Sequence, residues 1–460
     1  MSGGRWSVLW LIGLAWLALA GYILGRFASN AFPTYYLYRP LLWAVPFAIG
    51  LGLVAYGLGP RRGPVVVALL AGLLAGWATF TRFWIPVLVV VVAWLVVRQV
   101  ARTRGRELAL VPDMASTLAS VAIFAFFAVG LGRAVLTLEG PIAPVEATET
   151  ATGPNLYLIL LDGYPRSDTL REDLDYDNAP FEEALEERGF DVYRESMSDR
   201  RNTDYTLLGL LNGSLEGVPP DTDLSQEGQW ERRRQLSEAV LPIEAREVGY
   251  EYWVIDSPAG FVTFTAGNHV QHGAMNTLEE YMLATSALAP PVALAWPTLP
   301  TDSQRVHFEA SLDSVMELAE PDTHRLVLAH LFQPHIPFLW DADGGPQPVQ
   351  SFWPEISMFV WQLEDVDLTL DEYAELMGNN LDALNPRLLE MVDEIVARDP
   401  NGVIVLFSDH GARYAFAEED TEWYRNFLAA RTPDHPNLFA EDPSPTRLLR
   451  TLLDTYVIGD

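Results

Sequence analysis

The sequence predicts two parts: an N-terminal region of about five transmembrane helices and an outer α/β domain whose largely parallel central sheet carries helices on both faces. Three observations carry this. Five apolar runs fill residues 1–139, charge changes sign near residue 140, and short apolar runs alternate with amphipathic ones beyond residue 155.

The apolar runs cover about 7–25, 41–58, 64–81, 83–97 and 115–137. Each approaches the ~20 residues that cross ~30 Å of hydrocarbon. Four further runs follow the first, which therefore reads as an uncleaved signal-anchor rather than a removed leader. With the N-terminus inside, inner segments carry Arg5, Arg61, Arg62, Arg98, Arg102, Arg104 and Arg106, and outer ones carry Arg26, Arg39 and Arg82. Seven against three follows the positive-inside tendency. An odd span count then places residue 141 onward outside, in a multi-pass protein of the cell membrane. Residues 140–154 (GPIAPVEATETATGP) read as an extended juxtamembrane linker, and 155–460 as the catalytic-type domain.

Residues 1–140 hold eleven arginines and three acids, net +8, whereas 141–460 hold 19 arginines and 58 acids, net −39. Such a domain repels nucleic acid and suits a high-salt exterior, where charges are screened over a few ångströms. The chain has no cysteine and no lysine, which excludes disulfides, thiolate nucleophiles and thiolate metal sites.

Strands are expected at Asn155–Leu161 (NLYLILL), 189–194, 250–255, 325–331 and 402–407, and helices at 180–188, 203–211 and 231–248. A helix over 372–398 should break or kink near Asn385-Pro386.

In sheets of this kind ligands bind beyond the carboxyl ends of the strands. NLYLILL runs into Asp162-Gly163, and GVIVLF runs into Ser408-Asp409-His410-Gly411. Carboxylates and an imidazole at buried strand exits suit a divalent metal; Asp-Gly after a strand is also the signature of a plain turn. Between them Thr206 opens an apolar helical run, where helix-terminal N–H groups favour an anion and where a simple N-cap would also place a threonine. His330 and His335 flank a Pro-rich turn after the strand at 325–331, and the chain has only eight histidines. Arg166 and Arg413 are near enough to these residues in sequence to neutralise anionic oxygens, or to pair with neighbouring acids.

This order of motifs resembles the sulfatase-like branch of the alkaline phosphatase superfamily. Asp-Gly ends a first strand, a Thr follows 44 residues on, then come His-x-x-x-x-His-x-Pro and Phe407-Ser408-Asp409-His410-Gly411. The resemblance covers 155 to about 455, and five spans before such a domain look like lipoteichoic acid synthases and phosphoethanolamine transferases. It implies that Asp162, Thr206, Asp409 and His410 hold one divalent metal (Mn, Zn or Ca), with Thr206 the transiently phosphorylated nucleophile and Thr203 a weaker candidate. It implies that His335 and His330 bind substrate phosphate or a second metal. The expected activity is a phosphotransferase or phosphodiesterase acting on a membrane lipid or lipid-linked glycan. Alternatives are a sulfatase of external sulfated glycans and a non-catalytic envelope binding module. The chain departs from sulfatases proper in lacking Cys and the Pro-x-Arg context, and Gly163 follows Asp162 where a second acid is usual. Gly209 stands where related transferases often have Ser.

Overall fold

The computed structural model describes residues 7–30, 34–59, 62–75, 111–136, 151–218, 226–258, 262, 265, 267–270, 272, 275–284, 286, 288–347, 369–412 and 422–457. They form two compact units, Met1–Gly140 with Asn276–Trp296, and Pro141–Met275 with Pro297–Asp460.

The first unit contains α1 (Val8–Asn30), α2 (Tyr38–Gly57), α3 (Gly63–Ala75) and α4 (Val111–Leu136). Among the described residues three stretches are long and apolar enough to cross a membrane: Val8–Ala28, Thr34–Gly57 and Ala115–Leu136. The third apolar run is described only as α3, and the fourth lies outside the described residues. Small residues let the helices approach closely, as packing without a hydrophobic drive requires. A Cβ on Gly52 would fall 2.5 Å from the Ile12 side chain, and one on Gly130 would fall 2.7 Å from the Gly21 carbonyl. These contacts also give directions. Late α2 meets early α1, so the two are antiparallel. Trp10 meets Phe124, Trp16 meets Phe127 and Gly21 meets Gly130, so α1 and α4 run parallel.

In the second unit β1 (Leu156–Leu161) is followed by α5 (Ser167–Asp173), α6 (Ala179–Glu186), the two-residue β2 (Asp191–Val192) and α7 (Thr203–Asn212). Next come α8 (Gln226–Ser237), α9 (Val240–Glu247), β3 (Glu251–Ile255) and β4 (Asn268–Val270). Helices α10 (Thr277–Ala284) and α11 (Ala289–Ala295) group with the first unit. The chain continues through α12 (Leu299–Leu318), β5 (Arg325–Leu331), α13 (Leu370–Arg398), β6 (Val403–Phe407), β7 (Leu428–Arg431) and α14 (Pro445–Leu452).

The strands make one sheet in the order β2-β7-β6-β1-β5-β3-β4. All pairs from β6 to β4 are parallel, while β7 and β2 add an antiparallel edge. Alternation along β1 explains the two cores. Tyr157, Ile159 and Leu161 point into one apolar cluster, and Leu156, Leu158 and Leu160 point into the other.

Two helix expectations are corrected. The helix expected over 231–248 is two, α8 and α9, because the chain restarts at Val240 with Pro242 in the first turn, where a missing N–H costs nothing. Of the break or kink expected near Asn385-Pro386, the break is overturned: the helix runs from Leu370 to Arg398 through Pro386. Its stripe of Met377, Leu381, Leu384, Leu388, Met391, Val392 and Ile395 is buried, at roughly 1.5–3 kcal/mol per large side chain, which outweighs the ~3 kcal/mol proline cost. The strand expected over 189–194 shortens to β2, and β4 and β7 were not anticipated.

Candidate metal centre

Strand β1 lies between β5 and β6, with Leu161 opposite Leu331 and Leu160 opposite Phe407. One residue beyond this register the three strands release Asp162, the segment after Leu331, and Ser408-Asp409-His410. Asp162, Asp409 and His410 are fully buried, and one ligand atom from each lies within 4.8 Å of the others.

Each of the three is held by one polar atom and presents another. Asp162 Oδ2 accepts from His330 Nε2 at 2.9 Å, because a carboxylate can only accept. Asp409 Oδ1 accepts from the Gly163 backbone N–H at 3.1 Å. His410 Nδ1 donates to the Gly411 carbonyl at 2.7 Å, which leaves Nε2 as the ring atom that faces the carboxylates. The remaining atoms, Asp162 Oδ1, Asp409 Oδ2 and His410 Nε2, are buried without a hydrogen-bond partner. His410 Nε2 lies 3.4 Å from Asp162 Oδ1 and 3.2 Å from Asp409 Oδ2. Two carboxylate oxygens facing one point in a dry interior repel one another unless a cation sits among them, and His410 Nε2 is close enough to share it. The donor set therefore fits a divalent metal, and its mixed N/O character suits a borderline ion such as zinc or manganese. Burial pushes the Asp162 carboxyl up, but the imidazoles of His335, His330 and His410 more than reverse this and hold it well below the usual carboxylate range.

The backbone around the centre is shaped to match. Gly163 has φ +67°, and a Cβ there would lie 3.2 Å from His410 Cε1 and 3.8 Å from His335 Cδ2. A side chain at this position would be strained in its backbone and crowded against His410. A Cβ on Gly411 would strike the Glu422 carbonyl at 2.0 Å. The Ser408 hydroxyl accepts from Tyr164 N–H and donates to the His410 carbonyl, tying the β1 and β6 exits together.

Thr206 is buried on α7, whose first residue is Thr203 and whose N-cap is Asn202. It therefore lies one turn inside the helix rather than opening it, and its N–H is spent on the Asn202 carbonyl. Its hydroxyl donates to the Asp409 carbonyl at 3.0 Å, which sets it beside the metal-ligand loop. Thr203 is also buried. His330 is part of β5, and His335 follows it in a turn where its Nδ1 donates to the Ile336 carbonyl and its ring centroid lies 6.5 Å from that of His410. Arg166 is committed elsewhere: its Nε and Nη2 clasp Asp168 at 2.8 and 2.6 Å, and its Nη1 donates to the Ser196 carbonyl. Arg413 lies outside the described residues.

Several supporting residues carried no motif. Ser198 reaches the Asp409 carbonyl at 2.6 Å, and the Asn426 amide donates to the Ser408 carbonyl. Gln333 donates to the His335 carbonyl and accepts from Asn380 of α13. Polar residues inside apolar runs, such as Asn380, were the available signal.

No protein-family model matches the chain, and no curated protein matches it. Solved structures similar to it are phosphoethanolamine transferases, sulfatases and a phosphonate monoester hydrolase. The zinc complex of the C-terminal periplasmic domain of EptC from Escherichia coli is 17% identical, with 69% of this chain and 86% of that one covered and a TM-score of 0.41. The integral membrane lipooligosaccharide phosphoethanolamine transferase A from Neisseria meningitidis is 11% identical, covering 96% and 94%, with a TM-score of 0.38. The phosphonate monoester hydrolase of Agrobacterium radiobacter is 14% identical, covering 65% and 73%, with a TM-score of 0.40. These are weak likenesses, and the functional reading rests on the geometry of the site.

Proposed function

We propose that this chain is a membrane-anchored, metal-dependent phosphoryl-transfer enzyme of the sulfatase-like alkaline phosphatase type, working on lipid-linked phosphoryl groups outside the cell membrane. The observation that carries it is the convergence of three buried, unpartnered ligand atoms from Asp162, Asp409 and His410 at the exits of two parallel strands, with the Thr206 hydroxyl beside them.

A divalent ion held by Asp162, Asp409 and His410 would lower the pKa of a neighbouring hydroxyl and offset charge developing on phosphoryl oxygens. Thr206 Oγ1 attacks phosphorus, forming the Oγ–P bond while the P–O bond to the leaving group breaks, and the hydroxyl proton ends on the departing oxygen, which leaves as the alcohol. A second hydroxyl, from an acceptor lipid or glycan or from water, then attacks phosphorus and returns Thr206 as the free alcohol. His335, fixed through Nδ1, presents its other nitrogen to a phosphoryl oxygen. His330 holds Asp162 in place rather than contacting substrate.

The membrane reading supports lipid-borne substrate. Because α1 and α4 run parallel, Val8 and Leu136 lie at opposite ends of the helix group, which supports an odd number of crossings between them. The excess of arginine in the sequence segments expected on the N-terminal side supports an outer position for the acidic domain. The test is phosphodiester cleavage by the full chain in detergent. Wild type should turn over, and Thr206→Ala and Asp409→Ala should not; unchanged turnover in both would sink the mechanism. Aryl-sulfate cleavage exceeding phosphodiester cleavage would favour the sulfatase reading instead.

A further inference from the structure

The region after residue 140 is dense in charge, yet Met282–Thr301 (MLATSALAPPVALAWPTLPT) contains no charged residue at all. At that region's average composition a window of this length would hold about five. This apolar stretch is not spent on the α/β core. The segment Asn276–Trp296, which contains α10 and α11, groups with the helices α1 to α4.

Its attachment there is specific. Asn276 caps α10 in a reciprocal arrangement, with Glu279 N–H donating to Asn276 Oδ1 at 3.0 Å and Asn276 N–H donating to Glu279 Oε2 at 2.9 Å. The same Glu279 carboxylate receives the Arg39 guanidinium, Nε at 2.9 Å and Nη2 on the other oxygen. Arg26 donates to the Tyr281 hydroxyl at 3.1 Å and lies over the Tyr281 ring at 5.3 Å. Arg26 lies near the end of the apolar stretch Val8–Ala28 and Arg39 near the start of Thr34–Gly57, so the segment is clamped close to the ends of two helices long and apolar enough to cross a membrane. Beyond the clamp, Leu294 is 90% exposed and Trp296 is 52% exposed. Leu42, Trp43 and Leu53 on the apolar helices of the same unit are exposed as well. A short uncharged helix entered through Pro290-Pro291, left through Trp296-Pro297 and grouped with membrane-length helices has the chemistry of an interfacial element.

We infer that Asn276–Trp296 is a second membrane contact of the outer domain, a monotopic segment whose Leu294 and Trp296 side chains enter the headgroup–acyl boundary of a lipid surface. The inference is independent of the proposed activity, since it uses none of the metal-centre residues. It returns the chain to the lipid surface between β4 and α12.

The absence of cysteine makes the test direct. Leu294→Cys or Trp296→Cys gives the full chain a single thiol, which is spin-labelled and reconstituted into phosphatidylcholine nanodiscs. Glu317→Cys, at an exposed position of α12, is the aqueous control. Collision with oxygen should exceed collision with a water-soluble nickel chelate at 294 and 296, with a ratio several-fold above that at 317. Labels at 294 and 296 as accessible to the nickel chelate as the control would overturn the inference. Labels reached by neither reagent would also overturn it, by showing that protein covers the segment.

Discussion

The backbone N–H of Gly163 donates to Oδ1 of Asp409 across 3.1 Å, joining the exit of β1 to the exit of β6. One carboxylate oxygen is thereby occupied, and the other has nothing to face but Asp162 and His410. A turn glycine thus aims a carboxylate of the candidate metal centre.

Replacing Gly163 should damage both stability and the centre. Gly163→Ala must hold φ near +67° at about 1–2 kcal/mol, and its Cβ presses on His410 at 3.2 Å. The expected result is a lower unfolding midpoint and a weaker metal affinity by titration. Unchanged affinity would show that the approach is not restrictive.

Thr206→Ala and Thr206→Ser separate chemistry from folding. Both keep α7, but only serine retains a hydroxyl near the Asp409 carbonyl. Turnover should fall on the order of 10^4-fold in the alanine variant and far less in the serine variant. Phosphate trapped on the protein should appear in wild type and be absent from Thr206→Ala. Trapping on Thr203 instead would reassign the nucleophile.

Arg166 is read here as structural. Its pairing with Asp168 and the Ser196 carbonyl should make Arg166→Gln less stable by about 1–2 kcal/mol. Turnover at saturating substrate should change less than tenfold. A large loss of turnover with intact stability would return this arginine to the substrate.

His307 gives a pH dependence. Burial, helped by the His272 and His330 imidazoles, pushes it down to about 3 from an ordinary value of 6.5. Its folded pKa is depressed, so between these values the unfolded chain binds the extra proton. Its contribution is present in full above pH 6.5 and is lost as pH falls toward 3. Unfolding midpoints of His307→Gln should therefore fall less steeply over that interval than those of wild type. Parallel curves would show that His307 does not contribute this slope.

The parts of the fold governed by local pattern were legible in the sequence. Leu156–Leu161 and Arg325–Leu331 are continuous apolar runs because both sheet faces are covered, and this pattern placed Asp162 and the His330–His335 turn. Asp409 and His410 were legible for the same reason. What was hidden depends on distant neighbours. Pro386 reads as a helix breaker until its helix is seen packed along a full apolar stripe, and β7 is specified by pairing with β6 rather than by its own short sequence. Thr206 was legible as a residue of interest but not in its helical position. Ser198, Gln333 and Asn380 act through single hydrogen bonds across the fold, which leave no periodic trace. The uncharged stretch from Met282 was visible in the sequence, but its place beside Arg26 and Arg39 required the three-dimensional arrangement.

The central claim is that Asp162, Asp409 and His410 hold a divalent ion on which phosphoryl transfer depends. Metal content of the purified full chain, measured alongside phosphodiester cleavage for wild type and Asp409→Asn, tests it most directly. The account expects about one divalent ion per wild-type chain and loss of metal and turnover together in the variant. A metal-free wild type with full turnover, or a variant that keeps both, would contradict it.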